Sequence, residues 1–262
     1  MLVLIKGAGD LATGIACRLV RSGFQVIMTE LEKPTTVRCT VAFSRAVYNG
    51  ETIVENIKCV RAHTVEEALR ISDLGMVAVI VDPDGYSIQK IQPDAVVDAT
   101  LKKENISTKI SEVASVIGVG PGFTAGMNCH AAIETQRGHD LGRVLYEGST
   151  APNTGIPGKI EGYSTERLIL ASADGIFERK AEIGDKVKAG QIVAMVCGVP
   201  VAAQIDGVIR GLLPTGTKVY NGMKSGDVDP RARKEYCFSV SDKALAIGGG
   251  VLEAILHFAS KR

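Results

Sequence analysis

The sequence predicts an α/β protein made of a parallel-sheet domain, a smaller all-β domain and a C-terminal helix. Short apolar runs alternate with stretches of helical periodicity through roughly the first 145 residues, which is typical of a parallel sheet covered on both faces. Glycine-punctuated β-like segments follow, and the tail has apolar residues at helical spacing. We place the three parts at residues 1–150, 155–238 and 239–262, and we expect the C-terminal helix to pack back on the first domain.

The first part is predicted to alternate between strands and helices. A helix is expected over Leu11–Ser22, because its apolar residues recur on one face, and Gly23 follows it as a C-terminal glycine should. A second helix is expected at Val65–Asp73. Residues 34–63 are treated as irregular. Strands are predicted at Leu2–Lys6, Phe24–Thr29, Met76–Val81, Ala95–Val97 and Val113–Val119.

Composition excludes several classes of protein. An apolar share of 45% with 23% charged residues is that of an ordinary globular chain rather than a disordered one. A net charge of +1 disfavours nucleic acid as a partner. No apolar run approaches the roughly 18 residues of a membrane span, so no membrane role is expected. The six cysteines are scattered with no CxxC, which favours a cytoplasmic protein with free thiols.

The first glycine cluster lies between a predicted strand and a predicted helix. Gly7, Gly9 and Ala12 fit the G-x-G-x-x-A turn of a Rossmann-like domain, in which backbone amides and the helix N-terminus hold a pyrophosphate. Glu30 ends the next strand, where an acid binds a ribose hydroxyl and favours NAD over NADP. The alternative is a turn retained only for packing. The residues predicted to bind a cofactor here are Gly7, Ala8, Gly9, Asp10, Leu11 and Glu30.

A second glycine cluster, Gly118–Gly126, follows the strand that ends at Val119. The carboxyl edge of such a sheet is where ligands bind, and closely spaced glycines carry an entropic cost. We therefore expect a backbone-amide cradle for an anion, with a tight irregular connection as the alternative. Asp98 also follows a strand at this edge. The residues predicted to bind a cofactor here are Asp98, Gly118, Gly120, Gly122 and Phe123.

The segment Glu134–Arg143 combines arginines, acids and a histidine. Arg137 is a candidate for gripping phosphate or carboxylate through two hydrogen bonds. His139, next to Asp140, is the candidate catalytic residue because imidazole transfers protons near neutral pH. A surface ion pair at a polar helix start is the alternative for both. No metal site is expected, because His130 beside Cys129 is too small a cluster.

The second domain contains a repeat with a period of 32 residues. Its glycines pair at 175/207, 184/216 and 190/222, in positions that suit turns. Two such copies predict the barrel-sandwich fold of biotinyl and lipoyl domains. The segment between the copies, Ala194–Ala203, contains no lysine, so neither biotin nor lipoate is expected.

Together these motifs resemble the YqeB-type proteins of the selenium-dependent molybdenum hydroxylase system, which are distantly similar to XdhC-type accessory proteins of xanthine dehydrogenase. The motifs that carry the resemblance are Gly7–Gly14, Gly120–Gly126, Glu134–Arg143, Asn153–Gly158, Gly226–Arg231 and Ser241–Ala254.

This resemblance implies a maturation factor for a molybdenum hydroxylase, with that hydroxylase as its client and a small phosphorylated ligand. The expected cofactor is NAD, another nucleotide or a pterin phosphate. Two alternatives stay open: an NAD-dependent oxidoreductase that uses His139 as acid and base, and a non-catalytic scaffold. Homo-oligomer formation is also left open.

Overall fold

The fold consists of two units, and each is assembled from separate stretches of sequence. The computed structural model describes residues 1–102 and 108–261. The first unit comprises Met1–Pro34, Ala42–Thr154 and Val240–Arg262, and the second comprises Thr35–Val41 and Gly155–Ser239. The short segment Thr35–Val41 joins the second unit because the Val37 carbonyl accepts a hydrogen bond from the Leu212 amide at 2.9 Å.

The first unit contains most of the helices and the larger sheet. Its elements are β1 (Leu2–Lys6), α1 (Asp10–Arg21), β2 (Gln25–Glu30), α2 (Arg45–Asn49), β3 (Glu51–Val54), β4 (Ile57–Ala62), α3 (Val65–Asp73), β5 (Val77–Val81), α4 (Ser87–Ile91), β6 (Ala95–Asp98), β7 (Val116–Val119), β8 (Thr124–Ala125), β9 (Ala131–Ile133), β10 (Val144–Leu145), β11 (Gly148–Ser149) and α5 (Asp242–Ala259).

A nine-stranded sheet forms the centre of this unit, in the order β10-β9-β7-β6-β1-β2-β5-β4-β3. The inner strands from β9 to β4 run parallel, whereas β10 and β3 pair antiparallel at the two edges. The parallel strands are almost wholly buried, as expected when helices cover a sheet. β1 lies in the middle, with β2 on one side and β6 on the other.

Helix α5 packs on α1 within the same unit. Gly14 and Gly248 allow this close approach: a Cβ on Gly14 would lie 2.5 Å from the Ala244 Cβ, and one on Gly248 would lie 3.1 Å from the Gly14 carbonyl oxygen. The glycines at 248–250 therefore lie inside a continuous helix that starts at Asp242, capped by the Ser241 hydroxyl. Close packing explains two of them: Gly248 lies against α1, and Gly250 lies against the Gly142 loop.

The second unit consists of short antiparallel strands and three 3₁₀ turns, at Cys39–Val41, Thr165–Arg167 and Lys234–Cys237. Its strands are β12 (Leu168–Leu170), β13 (Gly175–Arg179), β14 (Lys186–Val187), β15 (Ile192–Val196), β16 (Val199–Ala202), β17 (Gly207–Leu212), β18 (Thr217–Val219) and β19 (Lys224–Asp229). They form two four-stranded sheets, β12-β19-β17-β14 and β16-β15-β13-β18, with an apolar core that includes Phe177 and Ile209.

The predicted fold class is wrong in two respects. The large sheet is mixed rather than parallel throughout, because β3 and β10 pair antiparallel at its edges. The predicted biotinyl/lipoyl barrel-sandwich is replaced by two small antiparallel sheets. The repeat does mark turns, since Gly184 and Gly216 have similar positive φ angles of 101° and 90°. Turn geometry, however, does not specify how the intervening strands are distributed between sheets.

The irregular segment predicted at 34–63 contains regular structure. It holds α2 and the antiparallel pair β3 and β4, and β4 continues the parallel sheet beside β5. Within residues 1–102 and 108–261, every helix is too short or too polar to span a lipid bilayer.

Candidate functional site

The carboxyl ends of β1 and β6 lie side by side at the point where the strand order of the sheet reverses. From β1 the chain continues to β2 on one side, and it returns after β5 to β6 on the other. In open α/β sheets, ligands bind in the crevice at such a point. Gly7 brings the two loops together: its φ is +88°, and a Cβ there would lie 3.1 Å from the Ala99 carbonyl oxygen.

Helix α1 begins directly after the Gly7–Gly9 turn. Gly9 is the N-cap, with φ −67° and no side chain to satisfy the amides of the first turn. Its carbonyl accepts the Thr13 amide at 2.8 Å, the first hydrogen bond of the helix. Asp10 and Leu11 form the start of the helix. A helix of 12 residues concentrates positive potential at these N–H groups, which favours an anion.

Glu30 lies against the same turn, at the end of β2. Its Oε2 accepts the Ala8 amide at 2.9 Å, and its Oε1 accepts the Leu31 amide at 2.7 Å. Each carboxylate oxygen has two lone pairs, so the carboxylate is fixed in place and can still accept further hydrogen bonds. The sequence prediction placed Glu30 on a ribose, and the structure places its carboxylate directly beside the Gly7–Gly9 turn.

Asp98 is buried and fully engaged within the protein. Its Oδ1 accepts the Thr100 amide at 3.0 Å and the Thr100 hydroxyl at 2.7 Å, and its Oδ2 accepts the Thr108 hydroxyl at 2.5 Å. Lys6 donates from Nζ to Thr108 Oγ1 and to Glu112 Oε1, each at 2.8 Å. Asp98 is therefore held within a buried network that ties the end of β6 to Thr108 and Lys6.

Sequence reasoning missed three members of this network: Lys6, Thr108 and Glu112. The available signal was a lysine at the end of an apolar strand. Its side chain is only 8% exposed, and such a charge needs a partner when buried. Glu112 provides that partner across 106 residues of sequence, which spacing alone does not reveal.

The second glycine loop is explained by packing and turn geometry. A Cβ on Gly118 would lie 2.1 Å from the Phe123 ring, so the ring occupies the space that a side chain would need. Gly120 and Gly122 have φ angles of +84° and +93°. The Gly120 amide donates to the Ile133 carbonyl, and its carbonyl accepts the Thr150 hydroxyl. These contacts favour the tight-connection alternative over an anion cradle.

Arg137 and His139 lie on the loop that follows β9. Arg137 forms two hydrogen bonds with Asp242 at the start of α5, at 2.7 and 2.8 Å. This fork geometry is the one that was expected for a ligand carboxylate or phosphate. His139 is exposed, and no described residue hydrogen-bonds its imidazole. Over the parts of the chain that the structure describes, no group of three metal-ligating side chains is found.

Comparison with known proteins gives one curated relative, an uncharacterized protein named YqeB from Escherichia coli K12. It is 48% identical over 255 residues, which are 97% of this chain and 47% of the relative. The chain thus spans about half the length of the curated relative that it matches. No family model matches the sequence.

Three solved structures show a weak likeness. An aspartoacylase family protein from Mesorhizobium loti is 15% identical, with 88% of this chain and 86% of that chain covered and a TM-score of 0.30. A succinylglutamate desuccinylase/aspartoacylase from Rhodobacter sphaeroides is 11% identical, with coverages of 87% and 84% and a TM-score of 0.28. An ectoine utilization protein from Ruegeria pomeroyi is 14% identical, with the same coverages and a TM-score of 0.27. At these scores the likeness transfers no activity to this chain.

The expected role in maturing a selenium-dependent molybdenum hydroxylase is wrong by these comparisons. The three structures carry names from acylase, desuccinylase and ectoine chemistry, and the name of the curated relative assigns no activity. The two alternatives, an NAD-dependent oxidoreductase and a scaffold, are set aside with it. The motifs that suggested the role have structural uses: Arg137 holds Asp242, and Gly118 makes room for Phe123.

Proposed function

We propose that the first unit binds a small phosphorylated ligand at the crevice between the loops after β1 and β6. The observation that carries the proposal is the N-terminus of α1. No N-cap side chain hydrogen-bonds its first amides, and it lies where the strand order of the sheet reverses. NAD, another nucleotide and a pterin phosphate are the ligand classes that the sequence favours. No reaction is assigned to the site.

Each group at the crevice has a defined part in this proposal. The backbone at the start of α1 faces the phosphate, since glycine at the N-cap lets a ligand approach the backbone closely. The carboxylate of Glu30, held by the Ala8 amide, accepts hydrogen bonds from hydroxyl groups in the rest of the ligand. The Asp98 network fixes the loop that forms the opposite wall.

Replacing Gly9 with valine tests the proposal. The φ of Gly9 is −67°, a value that any residue adopts, so the backbone itself does not require glycine. The new side chain would stand where a phosphate has to approach, and we expect affinity to fall about tenfold or more, equivalent to about 1.4 kcal/mol. Isothermal titration calorimetry with NAD, ATP, ADP and a pterin phosphate measures this on the full chain.

Gly249→Ala is the matched control, because a Cβ there meets nothing within 4 Å and the residue lies in α5 away from this turn. It should bind as the unchanged protein does. The proposal fails if no member of the panel binds, or if Gly9→Val, shown to be folded by circular dichroism, binds its ligand with unchanged affinity.

Two further proposals concern the family of the chain and its location in the cell. We propose that the chain and Escherichia coli YqeB are members of one family, supported by 48% identity over 255 residues. We also propose a cytoplasmic location, supported by six cysteines with free thiols, since disulfides persist in oxidising compartments.

A further inference from the structure

A group of buried charged side chains lies in the second unit, around β17 and β19. We call it the arginine cluster, and it consists of Arg38, Arg167, Arg210, Arg231, Asp227 and Asp229. It includes part of Gly226–Arg231, one of the motifs that carry the family resemblance. Asp229 is fully buried, and Arg38, Arg167, Arg210 and Asp227 are each less than a tenth exposed. Buried charges at this density require close pairing.

Both carboxylates of the cluster are already engaged by an arginine. Arg167 donates from Nη2 to the two oxygens of Asp227, at 2.8 and 3.0 Å. Arg231 forms a fork with Asp229, from Nε at 2.9 Å and from Nη2 at 2.6 Å. Such two-point pairs are the strong form of ion pair. The two aspartates are therefore matched to two of the four arginines.

Arg210 is different, because it is buried without a hydrogen-bonding acid. Its side chain is 10% exposed, and its Nη1 lies 3.7 Å from Asp229 Oδ2 and 4.0 Å from Asp227 Oδ2. Both distances exceed those of hydrogen bonds. Its Nε has no partner among the described residues. A guanidinium carries five N–H donors and remains charged in proteins. At Arg210 these donors meet two aspartates only at ion-pair distance, and the buried Nε donor lacks an acceptor among the described residues.

The surroundings of Arg210 add positive charge. Burial lowers the pKa of its guanidinium, and the charges of Arg38 and Arg231 act in the same direction, against the opposing charges of Asp227 and Asp229. The four arginines of the cluster outnumber its two aspartates. Arg38 is held in place by donating from Nη2 to the Tyr236 and Ser239 carbonyls, at 3.1 and 3.3 Å. The side chain of Arg231 is 33% exposed, so the cluster reaches solvent on that side.

From this arrangement we infer that the arginine cluster is a second anion site, in which Arg210 receives a phosphate group that enters past Arg231. A phosphate presents several acceptor oxygens, and arginine recognises phosphate through two parallel hydrogen bonds. It would supply the acceptor that Arg210 lacks and offset the charge of Arg38 and Arg231. This site consists of residues in the second unit only, so it does not depend on the crevice proposed above.

Inorganic phosphate and glycerol 3-phosphate are suitable probes, because they distinguish a free anion from a phosphate ester. Thermal unfolding of the full chain is measured in each, against sodium chloride of equal ionic strength. Either probe should raise the melting temperature in a saturable manner. Arg210→Met should remove the shift and weaken binding by at least about tenfold, since a charged hydrogen-bond donor is lost.

Arg233→Met is the matched control. Arg233 is exposed, and its guanidinium lies 5.6 Å from the centre of the Tyr236 ring, so its loss should leave the phosphate shift intact. Without phosphate, Arg210→Met should itself melt at a higher temperature, because the apolar side chain removes the desolvation cost of a buried charge whose nearest carboxylate oxygens lie 3.7 and 4.0 Å away, beyond hydrogen-bond distance.

The inference is overturned if neither probe shifts the melting temperature beyond the chloride control, or if Arg210→Met responds as the unchanged protein does. Succinate serves as a dicarboxylate probe in the same assay. A shift with succinate and none with either phosphate probe would also overturn the inference. If Arg210→Met does not fold, ³¹P line broadening on the unchanged protein and on Arg210→Lys decides the matter: broadening that Arg210→Lys reduces supports the site, and its absence contradicts it. Gly9→Val should keep this phosphate response, which separates the two sites.

Discussion

Replacing Gly250 with alanine is expected to lower the free energy of unfolding by about 3 kcal/mol, through overpacking. A Cβ at this position would lie 2.2 Å from the Gly142 carbonyl oxygen. That oxygen belongs to the backbone and cannot rotate away. Its loop is fixed as well, because the Gly142 amide donates to the Glu134 carbonyl at 2.9 Å. The helix or the loop must therefore move apart.

Gly249→Ala separates packing from helix propensity. The neighbouring glycine lies in the same turn of α5, and a Cβ there meets nothing within 4 Å. Alanine is favoured over glycine in helices by up to about 1 kcal/mol, so this variant should be more stable than the unchanged protein. Urea denaturation measures both. Equal stabilities of the two variants would show that α5 does not pack on the Gly142 loop as described.

The second large effect is expected from replacing Asp227 with alanine, which should lower the free energy of unfolding by about 3–5 kcal/mol. The substitution leaves Arg167 buried, with its side chain 6% exposed and without its carboxylate. Arg210 also loses a negative charge 4.0 Å away. The transition midpoint in urea measures the loss. Asp206→Ala is the control: this residue forms an exposed pair with Lys188 and accepts the Ala189 amide, so its loss should shift the midpoint much less than the loss of Asp227 does.

A double variant shows whether the loss comes from the unpaired charge. Arg167→Met combined with Asp227→Leu removes both members of the pair, and buried ion pairs replaced by apolar side chains commonly retain stability. We expect most of the stability lost in Asp227→Ala to return. A double variant as unstable as Asp227→Ala would mean that the pair does not act as a unit.

Local sequence signals predict the three longer helices of the described residues, α1, α3 and α5, whereas α2 and α4, of five residues each, were not predicted. α3 occupies Val65–Asp73 as predicted, and α1 begins and ends one residue before the predicted helix. Both have apolar residues at helical spacing, and in α3 the Thr64 hydroxyl accepts the Glu67 amide as an N-cap. These determinants act within a few residues, so a single sequence reveals them. β3 and β4 were missed because strand pairing depends on partners elsewhere in the chain.

The candidate site was predictable only where the backbone defines it. The Gly7–Gly9 turn and the end of β2 at Glu30 followed from spacing, and their contacts are local or nearly so. Arg137 was expected to meet a ligand, whereas it donates two hydrogen bonds to Asp242, 105 residues away. Arg210 was not singled out at all, because an arginine within a strand gives no sign of whether its partners are sufficient.

The fold class was wrong because glycine patterns report turns and not sheet membership. The paired glycines of the second unit have matching φ angles, +84° at Gly190 and +79° at Gly222. The strands between such turns then divide into two separate sheets. Hydrogen bonding between strands far apart in sequence decides this division, and neither spacing nor composition contains that information.

The most direct test of the proposed function is the amide chemical shifts of Gly9, Asp10 and Leu11 while the ¹⁵N-labelled protein is titrated with NAD, ATP or a pterin phosphate. The account predicts that at least one ligand shifts these three amides together and saturably. It also predicts that Gly9→Val abolishes the response and Arg210→Met preserves it. A ligand that binds but shifts only amides near Arg210, or leaves the start of α1 unchanged, would contradict the proposed function.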